Sequence, residues 1–198
     1  PRAHTNLILP MADELLAQAG LTPTQLDGVA FGRGPGSFTG LRIACGIAQG
    51  IAFAADIPIV PISSLASLAQ VAYLDYGADH VLVAMDARMR EIYWGKYILD
   101  CQGIMRCNGE EQVCLPANVG LPAVGRWYGI GSGWTSYADE LVIQLGYSVS
   151  AVVQEYQGNS YPQARAMVPL ALASFAEKQA VNAAEALPVY LRNQVVGV

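Results

Sequence analysis

The apolar positions of this chain fall into runs whose spacing changes along its length. In residues 5–20, TNLILPMADELLAQAG, Leu7, Ile8, Met11, Leu15 and Ala19 recur along one face at a helical period. That spacing predicts a helix closed by Gly20. Pro10 has no amide hydrogen to donate, so it must occupy the first turn or bend the helix. TPTQ at residues 22–25 joins a proline at the first helical position to a Thr-x-x-Gln capping box, which predicts one to two helical turns ending near Asp27 and Gly28. GVAFGRG then reads as a buried strand, residues 39–54 as a long helix, IPIVPI as a short strand, and SSLASLAQVAYL as a helix begun by Ser63. Strand and helix alternate, as in a parallel α/β unit.

From residue 76 the pattern changes. HVLVAMDARMREIYWGKYIL is two apolar β-type runs around the polar turn 86–90, which predicts a hairpin. A third run falls within 103–114, and a strand within 127–130. SYADELVIQLG reads as a helix, YSVSAVVQ as a strand, residues 162–181 as a long helix, and ALPVYLRNQVV as an irregular tail. The two parts, 1–75 and 76–198, follow one plan used twice: a β-meander, then strands alternating with helices. On that plan the first part lacks its opening hairpin, so about 30 residues are expected ahead of Pro1.

The stretch GRGPGSFTG leads from a strand into a helix N-terminus, where backbone amides and the positive helix end can hold phosphate. Arg33, Gly34, Gly36, Ser37, Thr39 and Arg42 are the candidates for such a site. The spacing matches neither GxxxxGK[ST] nor GxGxxG, and Pro35 removes a donor, so a purely steric role stands beside the phosphate reading. In the helix that follows, Ile43, Ile47 and Ile51 form a branched apolar stripe next to a ridge of small residues, Gly40, Ala44, Ala48 and Ala52. Small ridges let a second helix approach closely. One face of such a helix is accounted for by its own sheet; both faces, plus the apolar face of the first helix, exceed what one core of this size absorbs.

Composition narrows the function. The 198 residues are 53% hydrophobic and 14% charged, against about 25% charged in an ordinary domain. A chain so poor in charge is expected to hide surface against a partner. The net charge is −5 and Lys96 and Lys178 are the only lysines, which speaks against direct nucleic-acid binding through clustered cations. The longest stretch free of charge, residues 57–74, holds two prolines, three serines and a glutamine, so no membrane span is expected. Cys45, Cys101, Cys107 and Cys114 form no CxxC pair and the only histidines are His4 and His80, so no metal site is expected, and the thiols read as reduced ones in a cytoplasmic protein. Asp86, Arg88, Arg90 and Glu91 crowd one hairpin turn, as a phosphate site, a metal–water site or a solvated turn would. GIGSGW at 129–134 fits either a tight approach to a ligand or a strand-end turn.

Four motifs together, FGRGPGSFTGLRI, VPISSLASLAQ, AMDARMREIYWGKY and PVYLRN, resemble the TsaB (YeaZ) family of bacteria, and the resemblance runs over nearly the whole chain. It implies an actin-like ATPase fold (ASKHA, ribonuclease H-like) of two related α/β lobes, the first without its N-terminal hairpin. It also implies a function: a non-catalytic subunit for N6-threonylcarbamoylation of adenosine 37 in tRNAs that read ANN codons. In that reading the chain dimerises with the catalytic paralogue TsaD, works with the ATPase TsaE, pairs with itself when alone, and meets tRNA only through the complex. In TsaD a metal site is built from HMEGH where this chain reads Ser64-Leu65-Ala66-Ser67-Leu68; Ser64 and Leu68 replace the two ligating histidines, so the chemistry is expected to be lost. The family pairs through the two helices matched here by residues 5–19 and 39–54, which makes Leu7, Ile8, Met11, Leu15, Gly40, Ile43, Ala44, Ile47, Ala48 and Ile51 the expected interface. No cofactor is required of the chain itself, with ATP or ADP at the complex interface as an option.

Three rivals stay open at this stage. A stand-alone ATP-dependent enzyme of the actin and sugar-kinase type would use Asp86 to manage Mg²⁺. A peptidase would need a nucleophile and base, which Ser37 and Ser64 lack in context. A purely structural homodimer would use the same helices.

Overall fold

The computed structural model describes residues 4–123, 125–146 and 151–192. The opening residues form α1, His4–Ala19, with Pro10 inside it. Gly20 ends the helix at φ +67°, and the Leu21 amide donates to the Leu16 carbonyl at 3.0 Å, closing the last turn as its sequence position indicates. The capping box survives as a single 3₁₀ turn, Pro23–Gln25, shorter than expected, with the Thr22 amide donating to Gln25 Oε1 at 2.8 Å.

β1 (Val29–Gly34) and β2 (Ile59–Ser63) pair in parallel, joined by α2 (Phe38–Ala55). Alternate residues of this small sheet serve opposite faces. Phe31 and Ile59 meet Cys45, Ala48 and Ala52 of α2, whereas Val60 and Ile62 meet Leu170 of the last helix and Ile104. α2 is long and apolar enough to cross a membrane by length and composition, yet its Leu41, Cys45, Ala48 and Ala52 are buried within the chain.

Ser63 ends β2 and caps α3 (Ser64–Tyr76): its hydroxyl accepts from the Leu65 and Ala66 amides at 3.1 and 3.3 Å. The second sheet is six-stranded. β3 (His80–Asp86) lies between the antiparallel β4 (Ile92–Leu99) and the parallel β7 (Gly125–Ile130), and β8 (Ala151–Gln157) continues beyond β7. The expected third run splits into β5 (Met105–Cys107) and β6 (Gln112–Cys114), which pair with opposite ends of β4. β3 reads as an unbroken apolar run because both faces of the sheet are covered. Val81 and Val83 pack with Leu65, Leu68 and Ala72 of α3; Leu82 and Ala84 pack with Trp94, Trp127, Trp134 and Leu141. Gln70, buried in α3, is satisfied twice, donating to the Gly103 carbonyl and accepting from the Met105 amide, both at 2.9 Å, so it pins the turn into β5.

Two elements depart from the expected pattern. The helix read in SYADELVIQLG is broken into α4 (Ser132–Ser136) and α5 (Ala138–Leu145) at Tyr137, whose φ of −137° is not helical. The long helix expected over 162–181 is shorter, α6 (Ala164–Ala176). Lys178 turns left-handed at φ +58°, and Val181 instead exchanges two backbone hydrogen bonds of 2.8 Å with Ile59 at the edge of β2. Part of the strand expected in YSVSAVVQ, residues 147–150, lies outside the described residues.

Candidate functional site

A helix of sixteen residues draws most of its stability from packing, yet among the described residues α1 packs closely against no other helix or strand. Leu7, Ile8, Leu9, Met11 and Leu15 are exposed, Leu15 at 64%, and from residue 6 onward only Ala12 and Leu16 are half-buried. α2 offers a second uncovered surface. Ile43, Ile47 and Ile51 are half-buried along its shoulder, Gly46, Gly50 and Ala54 are open to solvent, and Phe53 stands 83% exposed. Phe53 is absent from the sequence-derived interface, although its offset of three from Gly50 places it on the uncovered side.

The ridge of small residues does not face outward as a whole. Gly40 and Ala44 are half-buried, but Ala48, at 4% exposure, and Ala52 lie in the core against Phe31 and Ile59. Positions 41, 45, 48 and 52 form the stripe that faces the sheet, so the small ridge lets α2 lie close to its own strands. Ala48 therefore leaves the expected interface set; Leu7, Ile8, Met11, Leu15, Ile43, Ile47 and Ile51 keep exposed or half-buried positions.

The glycine-rich loop is held by the chain itself. Gly34 sits at φ +110°, where a side chain would meet the Val189 carbonyl at 2.8 Å and Leu41 Cδ1 at 2.9 Å. The Val189 amide donates to the Arg33 carbonyl at 2.8 Å, so the PVY segment closes over the loop. Arg42 is engaged nearby: its guanidinium lies 4.0 Å from the Phe38 ring centre and its Nε donates to the Tyr190 hydroxyl at 3.2 Å. Arg33 instead lines a cleft with Ser63, Tyr97 and Glu111, while Arg42 lines a separate surface cleft with Gln49 and Tyr190. The candidates Arg33, Gly34, Gly36, Ser37, Thr39 and Arg42 are thus not gathered around one phosphate position, because the two cations turn to different sides.

The turn between β3 and β4 is built by its own charges. Asp86 Oδ1 accepts from the Arg88 amide at 2.8 Å, and the Asp86 amide donates to Ser132 Oγ at 3.0 Å. Arg88, Met89 and Arg90 all adopt positive φ, and Arg192 ties the turn down by pairing with Glu91 and donating to the Arg88 carbonyl at 3.4 Å. Arg192 comes about a hundred residues later, and no local pattern announces it. GIGSGW resolves as close packing: a side chain on Gly129 would meet the Trp134 ring at 2.5 Å. Ser64 is the first residue of α3 and Leu68 is wholly buried in the core. Among the described residues no group of three or more His, Cys, Asp or Glu side chains is placed to hold a metal.

One polar cluster, with Ser63 and Tyr97 buried and Glu111 half-buried, has no precedent in the sequence pattern. The Ser63 and Tyr97 hydroxyls both donate to Glu111 Oε1. Burial, with the Glu111 carboxylate beside it, raises the Tyr97 phenol well above its usual range. The folded chain therefore holds this proton more tightly than the unfolded chain. The resulting stability is intact below the ordinary phenol range near pH 10 and falls as pH rises beyond it. Urea midpoints measured between about pH 8 and 11 should drop at the alkaline end, and a Tyr97→Phe variant should drop less. An equally steep fall in the variant would assign the loss to other raised groups, such as Tyr128 and the Cys107 and Cys114 thiols.

The architecture is that of a mixed α/β protein with an uncovered apolar surface on its first two helices. A family model described as "TsaD: tRNA N6-adenosine threonylcarbamoyltransferase" matches residues 1–127. "tRNA threonylcarbamoyladenosine biosynthesis protein TsaB" of Escherichia coli is 41% identical over 98% of this chain and 83% of its own length, and its Haemophilus influenzae counterpart is 40% identical over 98% and 82%. A solved Pseudomonas aeruginosa structure, titled as an uncharacterized protein with similarity to peptidase YEAZ, superposes with a TM-score of 0.88 at 43% identity, covering 97% of this chain and 86% of that one. The chain belongs to the TsaB (YeaZ) family, and its mixed sheets fit an actin-like (ASKHA-type) fold.

Proposed function

We propose that this chain is the non-catalytic subunit of a tRNA N6-threonylcarbamoyladenosine-forming complex. It acts by pairing, through α1 and the uncovered side of α2, with the catalytic paralogue TsaD. The observation that carries the reading is α1, an apolar helix whose Leu7, Ile8, Met11 and Leu15 stay exposed among the described residues. The name shared by the most similar relatives supports the pathway. A stable interface needs roughly 1,200–2,000 Å² in total, which two such helices on each partner can supply. In the absence of TsaD the same surface pairs two copies of this chain.

The loss of reacting groups is part of the proposal. Leu68, at the position of a ligating histidine, is packed into the core, and a buried leucine offers no electron pair to a metal. The acidic balance of the chain leaves tRNA contacts to TsaD, and the ATPase TsaE completes the machinery in the cytoplasm. ATP or ADP, where required, is held by the complex and not by this chain alone.

A drop-out reconstitution on tRNA tests this. Threonylcarbamoyladenosine formation should vanish when the chain is omitted, and the chain alone should turn over neither ATP nor the acyl-adenylate. Undiminished product without it would sink the partner reading, and ATP turnover by the isolated chain would favour an independent enzyme of the same fold.

A further inference from the structure

We propose that the open cleft of about 240 Å³ lined by the ends of β1 and β2, β4, β5 and α6 binds a small oxyanion of phosphate size through Arg33. Its polar wall is made by Arg33, Ser63, Tyr97, Arg106, Glu111 and Gln179. The other charges of this wall have partners. Arg106 Nε donates to Asp100 Oδ2 at 2.9 Å, and its terminal nitrogens pair with Glu177. Glu111 receives the Ser63 and Tyr97 hydroxyls.

Arg33 is the exception. Among the described residues it forms no ion pair and its side chain makes no hydrogen bond, although its Nε is shut off from solvent. A guanidinium carries five donors and is always charged, so enclosing part of it without an acceptor is unfavourable unless a ligand supplies one. Phosphate-type oxyanions match its planar fork. Glu111 faces the same space and disfavours multiply charged anions, which holds affinity to a modest value. Because the cleft joins strands of both sheets, occupancy also ties the two sheets together.

The test titrates inorganic phosphate into the chain at constant ionic strength, following the ³¹P line width and Tm. Saturable broadening and a parallel rise in Tm are expected for the native chain. Arg33→Gln should weaken phosphate at least about tenfold, Arg33→Lys by less, and Glu111→Gln should tighten it. Near-UV circular dichroism verifies that each variant is folded. Equal affinity in a folded Arg33→Gln chain overturns the proposal, and so does the absence of saturable broadening with the native chain, whatever the variants do.

Discussion

A Leu15→Asp variant is expected to fold normally and to lose its pairing. Leu15 is 64% exposed on a helix that no other described element packs closely against, so the aspartate remains in water in the isolated chain and costs less than about 1 kcal/mol. At the centre of an apolar helix–helix contact the same carboxylate has to be dehydrated without a partner, a penalty of several kcal/mol that exceeds what a single interface centre supplies. Sedimentation of the isolated chain should report a monomer with native Tm, and pull-down with TsaD should fail. Full retention of pairing at native stability would move the interface away from α1. Ala48→Arg is the informative contrast. Ala48 is in the core beneath α2, so this change is expected to unfold the chain rather than to uncouple it selectively.

The largest stability loss from a single truncation is expected at Trp134. Its ring is wholly buried among Leu82, Ala84, Trp94 and Trp127, stacks on Tyr156 with centroids 5.3 Å apart, and donates through Nε1 to the Leu82 carbonyl at 3.0 Å. Truncation to alanine removes the apolar contacts, leaves a cavity and removes a hydrogen bond to a buried carbonyl. Large aromatic truncations of this kind cost about 3–5 kcal/mol. Gly129 and Gly133 press their backbones against Trp134 and Ala84, which leaves the neighbouring backbone little room to collapse into the space. Urea denaturation should show a midpoint lowered by that amount with the slope unchanged. A loss below about 1 kcal/mol would mean that the second sheet repacks freely here.

The pairing proposal and the oxyanion proposal are separable. Arg33 lies in the cleft beside β4 and β5 and not on the uncovered sides of α1 and α2, so Arg33→Gln should leave pairing intact, whereas Leu15→Asp should leave phosphate binding intact.

Periodicity and local capping chemistry were enough to place most elements. Gly20 and Ser63 mark a helix end and a helix start because their backbone freedom and hydroxyl act within a few residues. The unbroken run in β3 announces a strand covered on both faces, and the apolar face of α1 announces a surface in need of a cover, for the same short-range reason. Which side of α2 turns inward was not legible. Both of its faces are apolar, and only the position of β1 and β2 decides that Ala48 and Ala52 go inside while Ile47 stays at the shoulder. The break at Tyr137, the pairing of Val181 with Ile59, the anchoring of Glu91 by Arg192 and the meeting of Ser63, Tyr97 and Glu111 belong to the same class. Each joins residues distant in sequence or yields to packing from elsewhere in the chain. A linear pattern records what a residue prefers within its own few turns, and only tertiary contact sets which distant partner it meets.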